Sequence, residues 1–325
     1  MRVPTNFNDF IYKDTNGNHW LRFCNSNPRL LIKNANQWLQ NCSAESVSPL
    51  WSSLWFEREI CCLFAEANVG KSIYAVQMAC EIARSKTVLY IDYEMEDTVF
   101  MNRYSDTEGN LFSFPDNFLR AQLNPFSFSD RKLIAGLYHT LDSLIEKNVI
   151  QVIIIDNLTF LTEGDNSGVA ISRIIRILKK LRDKHNVSFL IVAHAKRSDT
   201  SVPVSYRDIF ANPRLFQFVD SCFAIVKSEN EKELYYLKQL KSRNAEIEFG
   251  SDNVILMKRE KNGAFLQFKT VGHDDERKHL FNKKSKNDEW LRHNATILQN
   301  QKLSLSEIAE TLSISKSKAF RLLKK

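Results

Sequence analysis

The sequence predicts an α/β domain built on a mainly parallel central sheet, with an antiparallel extension at one edge and a small helical segment at the C-terminus. Three observations carry that expectation. Between residues 59 and 193, short and almost uninterrupted apolar runs alternate with stretches of helical period. That is the pattern of strand–helix–strand units whose strands are buried on both faces. Beyond residue 220 the apolar runs come at hairpin spacing with polar interruptions, as antiparallel edge strands do. Beyond residue 290, two short amphipathic stretches flank the turn Ser313-Ile314-Ser315.

Taken in order, residues 1–50 are rich in Asn and Ser and form an N-terminal segment in which nothing carries chemistry. The core is expected over 51–270. Its first strand covers 60–64, followed by a helix over 72–84 and a strand over 87–91. The stretch 100–130 matches no motif. A helix over 131–147 leads to the apolar run 149–155. The helix over 168–185 has apolar Val169, Ile171, Ile174, Ile175, Ile177, Leu178 and Leu181 broken by basic positions. It is followed by a strand over 187–193. Strands over 222–226, 234–240, 254–257 and 264–268 make the edge extension, and a charged linker over 271–289 leads to the terminal helices at 290–325.

Composition excludes several classes. The chain has 325 residues, 43% of them hydrophobic, enough for one large core and a small appendage. No apolar run approaches the roughly 18 residues of a membrane span, and the start MRVPTNFNDF lacks a signal-peptide pattern, so a cytosolic protein with no membrane partner is expected. Cys24, Cys42, Cys61, Cys62, Cys80 and Cys222 show no CxxC spacing, against a zinc or redox site. Residues 1–250 carry 29 basic and 29 acidic side chains, whereas 251–325 carry 16 and 9, so the net +7 lies in the tail. A basic tail on a neutral body suits a polyanion such as nucleic acid, with a solubilising role as the plainer alternative.

The chemistry starts at Ala65-Glu66-Ala67-Asn68-Val69-Gly70-Lys71-Ser72, which has phosphate-loop spacing with alanine at the usual first glycine. Successive N–H groups and a helix N-terminus can cradle the phosphates of ATP. Lys71 reaches the β- and γ-phosphates, and the Ser72 hydroxyl suits Mg²⁺. Alanine is accommodated at negative φ, and Asn68 is a residue type that tolerates a left-handed turn.

Three strand ends surround that loop. Glu94 lies just past the second strand, where a carboxylate facing the crevice can activate water; capping the next helix is the alternative for Glu94 or Glu96. Asp156 ends the run Val152-Ile153-Ile154-Ile155, the Walker B arrangement that holds magnesium. His194 ends the next strand, placed to sense the γ-phosphate or simply to close a strand at the surface. Beyond it Lys196, Arg197, Arg207 and Arg214 interleave with Tyr206 and Phe210, suited to single-stranded nucleic acid or to a solvated loop.

At the C-terminus, 303–312 reads as a short helix with Ser306 as its candidate cap, and 316–325 as a second helix after the turn. This helix-turn-helix pattern offers Ser315, Lys316, Ser317, Lys318 and Arg321 to a DNA major groove.

These motifs in this order resemble the RecA-like P-loop ATPases, and within them the hexameric replicative helicases and the plasmid RepA type. The resemblance covers about 51–270 and rests on residues 65–72, Glu94, Asp156 and His194. It implies a Mg²⁺-dependent ATPase acting on DNA, a helicase-like motor in replication or mobile-element maintenance. It also implies a ring or filament, because Lys241 and Arg243 are similar to the paired fingers that ring helicases insert into a neighbour's site; an exposed basic hairpin is the alternative there. Two other readings remain at this point: an ATP-switched DNA-binding regulator that unwinds nothing, and an ATPase directed at a small molecule or protein.

Overall fold

The computed structural model describes residues 11–13, 19–21, 30–32, 35–36, 39, 47–122, 133–161, 168–210, 212–281 and 283–323. They divide into two units, Met1–Val47 and Ser48–Lys325. In the first, β1 (Ile11–Lys13), β2 (His19–Leu21) and β3 (Leu30–Ile32) pair antiparallel in a small sheet.

The second unit begins with a hairpin, β4 (Pro49–Trp51) and β5 (Trp55–Phe56). The alternating region follows: β6 (Ile60–Ala65), α1 (Lys71–Ile82), β7 (Val88–Asp92), α2 (Asp97–Arg103), β8 (Phe118–Gln122), α3 (Leu133–Asn148), β9 (Val152–Asp156), α4 (Leu158–Leu161), α5 (Gly168–His185) and β10 (Ser188–His194). A four-residue α6 (Leu215–Phe218) precedes β11 (Ser221–Lys227), β12 (Leu234–Lys241), β13 (Val254–Asn262) and β14 (Phe265–Asp274). The chain ends in α7 (Lys283–Asn300), α8 (Leu305–Thr311) and α9 (Lys316–Leu323).

One nine-stranded sheet runs β14-β13-β12-β11-β6-β10-β9-β7-β8. From β8 through β11 neighbours are parallel, and from β11 to β14 they are antiparallel. The expected α/β architecture and its antiparallel edge are therefore both present. β6, β7 and β9 are buried at every residue, which is why their sequences show no polar alternation. One face of the sheet packs on α3 and α5 through Leu141, Ile145, Ile171, Ile174 and Leu178. The other packs on α1 through Ile73, Val76, Met78 and Ala79. In α5, β-branched isoleucines weaken helix propensity by about 0.5 kcal/mol each, but burying each contributes about 1.5–3 kcal/mol. Burial wins.

Several elements differ from the expectation. β8 fills part of the stretch that matched no motif; its residues are half-buried except the exposed Gln122, so it lacks the apolar signature. β13 and β14 extend well past 257 and 268, because their outer halves are exposed and charged. Residues 271–289, read as a linker, hold the end of β14, a 3-10 turn at Glu276–His279 and the start of α7. The cap of α8 is Ser304 rather than Ser306: Ser304 Oγ accepts from Glu307 N and Glu307 Oε2 accepts from Ser304 N. That capping box needs the acid three residues on. α7, α8 and α9 share a small core of Ala295, Ile308, Ala309 and Ala319. No helix among the described residues is long and apolar enough to cross a membrane.

Candidate active site

Parallel register brings four strand ends together. His194 lies beside Ala65, and Asp156 lies between Val192 and Asp92 on neighbouring strands. All four ends open on the crevice side where α/β sheets bind ligands.

The phosphate loop leaves β6 and enters α1 at Lys71. Asn68 takes φ 63° and Gly70 φ 110°, so the left-handed turn falls where asparagine tolerates it. Glycine is required at 70 for a second reason: a Cβ there would come within 2.8 Å of Phe268 Cζ. Phe268 reaches the loop because Gln77 holds β14 against α1, donating from Nε2 to Phe268 O (3.0 Å) and accepting from Phe268 N at Oε1 (2.9 Å). The N-terminus of α1 has no side-chain cap, which leaves first-turn N–H groups for an anion. Lys71 is buried beneath the loop.

Around Lys71 the three other strand ends supply polar groups. Glu94 Oε2 lies 4.0 Å from Lys71 Nζ. His194 Nε2 lies 3.1 Å from both Glu94 Oε1 and Asn157 Nδ2. That nitrogen carries either a proton or a lone pair, so it donates to Glu94 or accepts from Asn157, never both. The hydrogen bond from His194, aided by the Lys71 charge, holds the Glu94 carboxyl below its usual range against the effect of burial.

Asp156 is buried; its Oδ2 accepts from Tyr90 OH at 2.5 Å, and its Oδ1 has no hydrogen-bond partner. Burial raises its carboxyl above the ordinary value, opposed by Ser72, Tyr90 and Lys71. A buried carboxylate oxygen without a donor, beside the Ser72 hydroxyl, is a donor set that fits a hard cation such as Mg²⁺.

Tyr90, Asp92, Asn157, Arg120 and Phe268 belong to this site and were not singled out from the sequence. Tyr90, Asp92 and Asn157 adjoin motifs that were. Asp92 carries one further signal: its Oδ1 accepts the N–H groups two and three residues on (3.2 and 2.9 Å), the habit of Asp at turns. Arg120 and Phe268 have none.

Lys241 and Arg243 lie elsewhere. Lys241 sits on β12 opposite Cys222, at the start of β11. Its Nζ donates to Phe216 O and Val219 O, both at 2.7 Å, and burial lowers its ammonium's affinity for protons. Arg243 pairs with Asp220 Oδ1 at 2.8 Å, and Asp220 Oδ2 accepts from Ile60 N at the beginning of β6. The length of β6, roughly 17 Å at strand rise, separates this end from the phosphate loop.

In the loop after His194, Lys196, Tyr206, Arg207 and Phe210 are exposed. Arg197 is half-buried and donates within the loop to Val202 O at 2.7 Å. Tyr206 stacks on Phe216 at 5.0 Å. On α9, Lys316 and Arg321 are exposed, Lys318 is half-buried, and Ser315 caps the helix through Lys318 N at 3.2 Å.

Many solved structures share this fold. One, described as an ATPase domain, superposes with a TM-score of 0.52 at 14% identity, over 71% of this chain and 95% of that one. No curated protein matches the sequence. A family model described as "AAA domain" matches residues 27–200. With a phosphate loop at the end of the central parallel strand, the chain belongs to the AAA-domain family and is a P-loop ATPase of RecA-like fold.

Proposed function

We propose that the chain hydrolyses ATP at the mouth formed by β6, β10, β9 and β7, and that it does so as an oligomer working on DNA. The observation that carries the reading is the meeting of Lys71, Glu94 and His194 beside the undonated oxygen of Asp156. The loop 65–72 wraps the phosphates with its N–H groups, and Lys71 neutralises the β- and γ-oxygens. Ser72 and Asp156 would hold Mg²⁺, which when bound neutralises charge on those phosphates. Glu94 takes a proton from water as the water oxygen bonds to the γ-phosphorus. The bond from that phosphorus to the bridging oxygen breaks, and ADP leaves with its electron pair. A general base of this kind contributes about 10²–10⁴-fold. His194, by switching between Glu94 and Asn157, reports whether a γ-phosphate is present.

On this reading Lys241 and Arg243 act in trans, completing a neighbour's site in a ring or filament. Lys196, Arg197 and Arg207, with Tyr206 and Phe210 between them, follow a strand of DNA by charge and stacking. Ser315, Lys316, Lys318 and Arg321 meet duplex phosphates and base edges. The assembly is then a helicase-like motor of the RepA type, in replication or mobile-element maintenance. One observation favours a second reading. The terminal helices have a core of their own, as a self-contained duplex-binding module would, so an ATP-switched regulator that assembles on DNA without unwinding it is the runner-up.

Steady-state hydrolysis with no DNA, single-stranded DNA and duplex DNA, beside Lys71→Ala, separates the two. Strong stimulation by single strands, absent in the variant, is expected of the motor. Hydrolysis indifferent to every DNA overturns it.

A further inference from the structure

The loop carrying Glu94 is held by a strand that the phosphate-loop motifs do not include. β8 lies at the parallel edge of the sheet, with Arg120 opposite Tyr90 of β7. The Arg120 guanidinium donates from Nε and Nη2 to Asp92 Oδ2 at 3.0 and 2.9 Å. Nη2 also donates to Met95 O, and Nη1 donates to Asp97 Oδ1, both at 2.6 Å. The group lies 4.4 Å above the Phe100 ring. Two positions along, Gln122 Nε2 adds a second bond to Met95 O at 3.0 Å. Arg120 therefore grips the chain before Glu94, at Asp92, and after it, at Met95 and Asp97. The other oxygen of Asp92 accepts the N–H of Glu94 itself.

We propose that Arg120 is the positioning residue for Glu94, fixing the base against the phosphate loop without touching substrate. This rests on the reading of Glu94 as the base. The Asp92 side chain is 1% exposed and that of Arg120 16%, so the pair is screened little by water. Removing the guanidinium leaves a buried carboxylate without its cation, and the turn built on that carboxylate loses its reason to stay. A fork with several donors fixes orientation in a way a single ammonium does not. A reacting group displaced by 1 Å costs about 10²-fold in rate.

The test is Arg120→Lys, made in the otherwise native chain and in Glu94→Gln. Turnover at saturating ATP and affinity for a fluorescent ATP analogue are measured, with thermal unfolding as a check on folding. Turnover is expected to fall about 10²-fold with nucleotide affinity unchanged, and to show no further fall in the Glu94→Gln background, because residues acting through one another are non-additive. Asp97→Ala, which removes only the solvent-facing arm, gives the same pattern more weakly and serves if Arg120→Lys does not fold. Full turnover in both variants overturns the proposal. So does a loss of equal size on top of Glu94→Gln, or a fall in affinity that tracks turnover. A Glu94→Gln chain hydrolysing at the native rate is a different failure: it removes the base itself.

Discussion

Glu94 is poised by its neighbours more than by its own exposure. The groups facing it are His194, Lys71 and Asn157, and each favours the ionised carboxylate, His194 most. On the reading of Glu94 as the base, a carboxylate held below the ordinary range stays ionised well into acid, so the acid limb of kcat/KM, which reports the free enzyme, is expected to lie low. Replacing His194 with Ala removes the largest of these contributions and leaves burial less opposed. The Glu94 pKa then rises, and the acid limb is expected to move to higher pH. Gln at 194 keeps a donor and is expected to hold the limb near its native place. A pH–rate profile of the three chains decides it, and an unmoved limb in His194→Ala shows that another group titrates there. The same reasoning explains why Asp156 suits a cation. Burial, with the neighbouring Asp92 carboxylate, pushes its proton affinity up, and a cation on the undonated oxygen would oppose that.

Between elements, the loop after His194 is fastened by a buried pair. Lys238 Nζ on β12 reaches Glu276 Oε2 at 2.6 Å and Val204 O at 2.9 Å, while Glu276 Oε1 accepts from Val204 N at 2.7 Å. The side chain of Glu276 is fully buried, so removing it leaves a buried ammonium with no counter-charge and only the Val204 carbonyl. Glu276→Ala is expected to lower stability by about 3–5 kcal/mol, whereas replacing Lys238 with Met as well recovers much of that loss. Denaturant melts of both chains check this, and equal losses would show that the pair's charges are not what matters. Neither partner was legible beforehand, because each is an ordinary charged residue in a mixed stretch. What could be read was whatever writes itself along the chain: the apolar runs of β6 and β9, the period of α5, and the loop 65–72. β8 could not be read, since a half-buried edge strand has no apolar signature. Arg120 and Phe268 could not be placed either, because their role comes from distant partners. Arg120 acts on Asp92, and Phe268 on Gly70 across most of the core. The site's nucleotide half is local in sequence, and its supports are not.

At the scale of the whole sheet, the phosphate loop and Arg243 lie at opposite ends of β6. Because β6 begins beside Asp220 and Arg243 and ends in the phosphate loop, a finger just past β12 cannot bend back to its own nucleotide. If Arg243 serves catalysis, it serves another chain, and that makes the reading open to complementation. Arg243→Ala keeps the loop and loses the finger; Lys71→Ala keeps the finger and loses the loop. The fold tolerates the first change, because Asp220 retains Arg182 Nη1 at 3.1 Å. Each variant alone is expected to be nearly inactive, the finger loss costing about 10³–10⁵-fold. Mixed in equal amounts and allowed to exchange, half the loops and half the fingers are intact. Random head-to-tail assembly then gives an active junction about one time in four. Recovery of hydrolysis toward a quarter of the native rate, measured against mixing ratio, is the expected result. Arg243→Ala hydrolysing at the native rate by itself overturns the reading and leaves Arg243 as the ion-pair partner of Asp220 and nothing more. The catalytic unit would then be the single chain, with Lys71, Glu94 and His194 sufficient for whatever hydrolysis it performs.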